Sequence, residues 1–150
     1  MVRGITWLEL IAVLFSKKDM HWKLIDYGLV PRSNSKRPVA LKHASKEGEY
    51  TAPEVLDGLD YTEAADIWSF GCIMFEIATK RTLFPSYSAL FEYMQPAAKE
   101  RVENELKLVA PFDSIVWIAL NLDPQGRPTC KWILEELNER SEIRTAKMNL

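Results

Sequence analysis

The sequence predicts a mainly α-helical domain that opens on a small β-hairpin, continues through a long polar loop and closes with about five helices. Three observations predict it. The run DIWSFGCIMFEIAT, residues 66–79, is apolar on nearly every face. Two short apolar runs, IAVLF (11–15) and HWKLI (21–25), flank the polar SKKDM. Residues 31–49, PRSNSKRPVALKHASKEGE, carry prolines, serines and charge with no sustained period.

In the first run, Ile67, Phe70, Gly71, Met74, Phe75 and Ala78 follow the i, i+3, i+4, i+7 spacing of one helix face. Trp68, Cys72, Ile73 and Ile77 fill much of the other. A helix apolar all round belongs inside a core. The run is too short to cross a bilayer, which takes about 20 residues, and Asp66, Ser69 and Glu76 argue the same way. Gly71 in mid-helix costs about 1 kcal/mol relative to Ala, which points to a close neighbour there. Thr62 is the expected N-cap, with Glu63 and Asp66 at the positive end of the helix dipole and Lys80 and Arg81 at the negative end.

The two short runs read as a hairpin. Pro53 and Glu54 start a short turn through Leu56, which Asp57, Gly58 and Asp60 break. Residues 86–95 and 97–109 read as amphipathic helices, and 113–122 as a buried helix capped by Asp113 or Ser114. DPQGRP is a loop, and Thr129 caps a last helix to about Arg140, before a frayed polar tail at 141–150.

The 150 residues fit one domain, with 47% hydrophobic and 27% charged residues. A net charge of −2 gives no electrostatic case for nucleic acid or an anionic membrane. Cys72 and Cys130 show neither disulfide nor zinc spacing, so a reducing, cytoplasmic setting is expected. The N-terminal MVRGITWLELIAVLF has an early Arg3, but Glu9 interrupts its apolar run and no cleavage site follows, so it does not read as a secretory signal.

Four segments, in this order, resemble the C-terminal lobe of eukaryotic protein kinases. WKLIDYGLV (22–30) resembles the strand and DFG motif, with Tyr27 in place of Phe. YTAPEVL (50–56) resembles the APE motif, DIWSFGCIMFEI (66–77) the buried helix after it, and NLDPQGRPT (121–129) the late loop with its Arg. The resemblance covers residues 12–140 as a partial kinase domain, with 1–11 unmatched, an N-terminal lobe absent and 141–150 left as a polar tail.

The resemblance implies ATP-dependent phosphoryl transfer to protein Ser/Thr, with Mg²⁺ and ATP as cofactors and Asp26 as the Mg²⁺ ligand. A carboxylate at a strand end beside Gly28 suits that role, although the same residues also describe a plain strand exit. It further implies that Glu54 pairs with Arg127, rather than each being a separate surface charge, and that Asp66 holds the backbone of the catalytic loop. Residues 26–54 would be the activation segment. Ser33, Ser35, Ser45 and Thr51 lie there among Arg32, Lys36, Arg37, Lys42 and Lys46, so they are either phosphorylation sites or part of a solvated loop.

The family also needs a Gly-rich loop, a strand Lys and HRDxxxxN. The first Asp is Asp19 and the first Asn is Asn34, so no residue before the hairpin supplies the base or the second metal ligand. Lys46 and Glu47 stand where the family often has Gly-Thr ahead of the APE segment, which puts the usual substrate docking in question. The expectation is therefore an inactive chain that holds neither Mg²⁺ nor ATP. The alternative is a pseudokinase-like scaffold or protein-binding module. Protein partners or a protein substrate are expected, with self-association through an apolar patch beside the hairpin.

Overall fold

Val13–Ser16 (β1) and His21–Leu24 (β2) pair antiparallel, with Val13 opposite Leu24 and Ser16 opposite His21. The computed structural model describes residues 13–24, 49–57, 62–107 and 112–148. Asp19 organises the four-residue turn: Ser16 Oγ donates to its carboxylate at 3.1 Å, Lys23 binds the same carboxylate, and the His21 ring Nδ1 meets the Asp19 main-chain carbonyl. Met20 takes the left-handed conformation, φ 56°, that the turn requires. The strands thus include Ser16, which the sequence assigned to the turn. Ile11, Ala12 and Ile25 lie outside the described residues, as does the loop at 31–48.

Six α-helices follow among the described residues: α1 (Pro53–Leu56), α2 (Glu63–Thr79), α3 (Tyr87–Tyr93), α4 (Pro96–Lys107), α5 (Asp113–Ala119) and α6 (Cys130–Met148). The mainly α architecture and the hairpin are those the sequence predicts.

Helix α2 is the central post. Trp68 is fully buried, stacked on Phe84 at 5.4 Å, and Tyr93 meets both rings edge-on. Such aromatic pairs add about 0.5–1.5 kcal/mol each beyond their buried area. A second cluster joins Ile67 to Ile115, Ala119 and Ile133. Gly71 lets α5 approach: a Cβ there would stand 3.1 Å from Ala119 Cβ and from Leu120 Cδ2. The apolar character of α2 outruns its burial at one point, because Ile77 near the C-terminal end is half exposed.

Several boundaries differ from expectation. Thr62 holds the N-cap position of α2, but its hydroxyl makes no cap bond. Helix α5 is preceded by Phe112, not capped by Asp113 or Ser114; Ser114 Oγ instead accepts from Arg140 at 2.7 Å. It ends at Ala119, short of 122, because Tyr93 donates to the Leu120 carbonyl at 3.0 Å and Asn121 turns to accept from the Asp123 N–H at 3.0 Å. Helix α6 is capped by Thr129, whose Oγ1 accepts from Trp132 N–H at 3.2 Å. It continues to Met148, past the expected end at Arg140, since SEIRTAKM is made mostly of good helix formers and has neither Gly nor Pro.

Candidate functional site

Glu54 reaches the interior through a rigid entry. Ala52 is extended (φ −66°, ψ 145°), as a residue before proline must be, and Pro53 opens α1 at a position that needs no donor. Glu54 is buried in this single turn. Arg127 follows a 3-10 turn (Pro124–Gly126) whose N-cap Asp123 accepts from Gln125 N–H at 2.9 Å. Gly126 packs against the Asn121 amide: a Cβ there would stand 2.4 Å from Asn121 Nδ2, so that side chain would have to turn away.

The two meet as a bidentate pair, Nη1 to Oε1 at 2.6 Å and Nη2 to Oε2 at 2.7 Å. Their side chains are 0% and 7% exposed. The remaining donors of Arg127 are also met. Nη1 reaches the Ala64 carbonyl at 2.9 Å, Nε the Asn121 carbonyl at 2.7 Å and Nη2 the Leu122 carbonyl at 3.5 Å. Every N–H of the guanidinium therefore has an acceptor, and its face lies 5.0 Å from the centre of the Trp68 ring. The indole N–H of Trp68 has no acceptor among the described residues.

A second tie lies one turn earlier in the chain. Tyr50 donates to Glu76 Oε2 at 2.6 Å, and Ser69 Oγ donates to the Tyr50 carbonyl at 2.7 Å. Burial, then the Glu76 carboxylate, push the Tyr50 phenol above its ordinary range. Ser69 and Glu76 lie two turns apart on one face of α2. Their polarity in an apolar helix is the signal that could have disclosed this tie; the sequence reading used them only against a membrane span. The segment 50–54 is thus held to α2 and its neighbours by a phenol, a hydroxyl and an ion pair.

Asp66 stands half-buried in the first turn of α2. Burial pushes the Cys130 thiol up, and Asp66 and Glu63 add to it. The catalytic-loop backbone assigned to Asp66 by resemblance lies outside the described residues. Thr51 is half-buried just before Ala52. Asp26, Ser33, Ser35 and Ser45 lie outside the described residues, so the site brings together Glu54 and Arg127 and leaves Asp26 unplaced. The apolar patch expected beside the hairpin rests on side chains outside the described ones. Among the described residues no group of His, Cys, Asp and Glu could hold a metal ion, and no helix is long and apolar enough to cross a membrane. Cys72 and Cys130 are free thiols, one buried and one exposed.

Comparison with known proteins shows the family. The family model described as "Protein kinase domain" matches residues 11–137. A dual specificity protein kinase, shkA, of Dictyostelium discoideum is 26% identical over 153 residues, covering 91% of this chain and 29% of its own length. The serine/threonine-protein kinase ppk5 of Schizosaccharomyces pombe is 36% identical over 98 residues, 61% of this chain and 11% of its own length. Serine/threonine-protein kinase 33 of Bos taurus is 28% identical over 125 residues, 80% of this chain and 25% of its own length. The chain therefore spans less than a third of each of these relatives.

Proposed function

The chain belongs to the protein kinase domain family, and from that premise we propose that residues 12–140 form the C-terminal lobe of a kinase that transfers the γ-phosphoryl group of ATP to protein Ser or Thr. The observation that carries this reading is the buried bidentate pair of Glu54 and Arg127. Transfer of this kind depends on positioning and charge stabilisation, and the pair fixes the end of the segment that starts at Asp26. Asp26 would hold Mg²⁺, which would neutralise charge on the ATP phosphates. Thr51, Ser33, Ser35 and Ser45 are the hydroxyls through which that segment could be phosphorylated, with basic neighbours to receive the phosphate.

The 150 residues by themselves are an incomplete catalyst in this reading. A general base must lie within hydrogen-bond reach of the hydroxyl proton, and the first Asp of the chain is in the hairpin turn. Asp66 then serves the fold of this lobe rather than the reaction. A second role, as a scaffold or protein-binding module in the cytoplasm, is favoured by the exposed Tyr87 and Phe91 on one face of α3 and by the exposed Met94 just past its end. It would engage protein partners, a second copy included, and neither nucleic acid nor membrane.

The test is incorporation of radiolabelled phosphate from ATP into a mixed Ser/Thr peptide library by the purified chain in Mg²⁺. The expected result is no incorporation above the protein-free blank. Incorporation that the Asp26→Asn variant loses would overturn the inactive reading. Light scattering on the same sample addresses self-association, and a monodisperse monomer at high concentration would count against it.

A further inference from the structure

The segment 50–54 is held at two depths. At the inner one, Ala52, Pro53 and Glu54 are buried and Arg127 clamps Glu54. The Val55 and Leu56 amides donate to the Ala52 carbonyl at 3.0 and 3.2 Å, so α1 starts from a fixed point. At the outer one, Tyr50 and Thr51 are half-buried. The Tyr50 hydroxyl on Glu76 and the Ser69 hydroxyl on the Tyr50 carbonyl hold them. The ionised groups that act on this phenol are Glu76 and Glu49, and both are negative. A neutral phenol suits that setting because it donates to Glu76, whereas an anion on the same oxygen is repelled by both carboxylates. Two other described tyrosines lack the combination. Tyr93 is sealed from water with its hydroxyl on the Leu120 carbonyl, and Tyr87 is exposed on α3 and ties no segment among the described residues.

We propose that Tyr50 is a phosphorylation site, and that a phosphate on its Oη releases residues 50 and 51 from α2 while Glu54 stays locked on Arg127. The co-reactants are ATP and a protein tyrosine kinase. Oη bonds to the γ-phosphorus, the bond from that phosphorus to the bridging oxygen breaks, ADP leaves, and the phenol proton passes to the base of the modifying enzyme. The hydroxyl becomes available when the outer tie opens, a local opening that leaves the inner lock closed. The phosphate then carries about −1.5 to −2 charges at pH 7. It has no proton to offer a carboxylate that only accepts. The closed form thus loses a hydrogen bond and gains a like-charge contact, and the segment stays open as far as Ala52. Modification by another enzyme, read out structurally, does not depend on the phosphoryl-transfer reading of this chain.

Two measurements on the full 150-residue chain test this. In the first, a tyrosine kinase selected for labelling a synthetic peptide of residues 47–56 acts on the folded chain with ATP and Mg²⁺, and mass spectrometry maps the phosphate. Labelling at Tyr50 is expected, and it should be about tenfold or more faster in Glu76→Ala, which lacks the charge-assisted hydrogen bond. No labelling of the folded chain at Tyr50, or equal rates in the two proteins, overturns the proposal. In the second, phosphotyrosine is placed at position 50 during synthesis and backbone order is read by ¹⁵N relaxation. The order parameters of Tyr50 and Thr51 should fall from about 0.85 to below about 0.6, with Val55 and Leu56 unchanged. Tyr50→Phe, which loses the bond without gaining charge, should fall less. Glu76→Gln should loosen the unmodified segment slightly yet restore order to the phosphorylated one, because it removes the repulsion and leaves the shape. A phosphorylated chain as ordered as the unmodified one, or no looser than Tyr50→Phe, or unaffected by Glu76→Gln, overturns the release.

Discussion

The interior beside α2 and the rim of α4 each hold an arginine paired with a carboxylate, and the two pairs share almost nothing beyond that chemistry. Arg127 and Glu54 are sealed from water, bound at two points and backed by three carbonyls. Arg81 and Glu105 meet through one contact, with side chains 64% and 29% exposed. Water and salt reach the second pair and not the first. The difference teaches that an ion pair here is worth what its surroundings make it cost to break. The interior pair is a fixed joint between the 50–54 segment and the late loop, whereas the rim pair sets the charge of a surface.

The largest effect is expected from breaking the interior joint. Glu54→Ala leaves a buried guanidinium short of two acceptors and should destabilise by about 3–5 kcal/mol in urea unfolding. Arg127→Lys should come close to it, since an ammonium cannot satisfy the carboxylate and three carbonyls together. A loss under 1 kcal/mol in either variant would mean that water reaches the pair and would erase the contrast with the rim.

The interior also holds acids that the rim lacks. Burial pushes Cys72 up from 9.0 and Tyr93 up from 10.0. Each is an acid with a folded pKa above its unfolded one. Its stabilisation is complete below the unfolded value and is lost as pH rises, because the unfolded chain releases the proton first. Stability should therefore fall from about pH 9 upward, by about 1.4 kcal/mol per pH unit for each group once its unfolded form is ionised. Chemical unfolding between pH 8 and 11 measures the slope, and Tyr93→Phe should reduce it above pH 10. A flat profile would place both groups in water.

Packing comes next. Gly71→Val sets methyl groups against Ala119 and Leu120, which already stand 3.1 Å from where a Cβ would be. Overpacking of this kind costs about 1–3 kcal/mol. Thermal unfolding should show a lower midpoint, and an unchanged midpoint would mean that α5 yields freely. Tyr50→Phe removes a hydrogen bond to a carboxylate and should cost about 1.5–3 kcal/mol at most, nearer the lower figure because the ring is only half-buried. The measurement that matters is hydrogen exchange at residues 50–56. Faster exchange there than on α5 marks the phenol as a tie of that segment, and uniform exchange removes that role.

What was legible in the sequence follows the same division between interior and rim. Helix α2 announced itself because burial on most faces leaves a dense apolar pattern, and the cost of Gly71 pointed to a close neighbour, which the fold supplies as Ala119 of α5 and Leu120 after it. The meeting of Glu54 with Arg127 is not a local property. Residues 73 apart in the chain carry no mutual pattern, and only the likeness of several motifs to a known family suggested the pair. Tyr50 and Glu76 were missed for the same reason, although Ser69 and Glu76 on one face of an apolar helix ask for a polar partner. Helix ends were misjudged where tertiary bonds decided them, as where the Tyr93 hydroxyl takes the Leu120 carbonyl after α5. Asp26 and the serines at 33, 35 and 45 stand outside the described residues, so the comparison concerns the anchor of the segment and not its middle.

The smallest effect belongs to the rim and sharpens the comparison most. Arg81→Ala and Glu105→Ala should each change stability by under about 1 kcal/mol, because exposed pairs gain little over their hydrated, separated states. A double-mutant cycle isolates the coupling from the loss of each side chain's other contacts. The coupling should be a few tenths of a kcal/mol at low salt and vanish at about 1 M salt, where the screening length is about 3 Å. Glu54 and Arg127 should keep their coupling in the same salt. If the rim pair instead couples as strongly as the interior one and resists salt, Glu105 is held in place by more than Arg81.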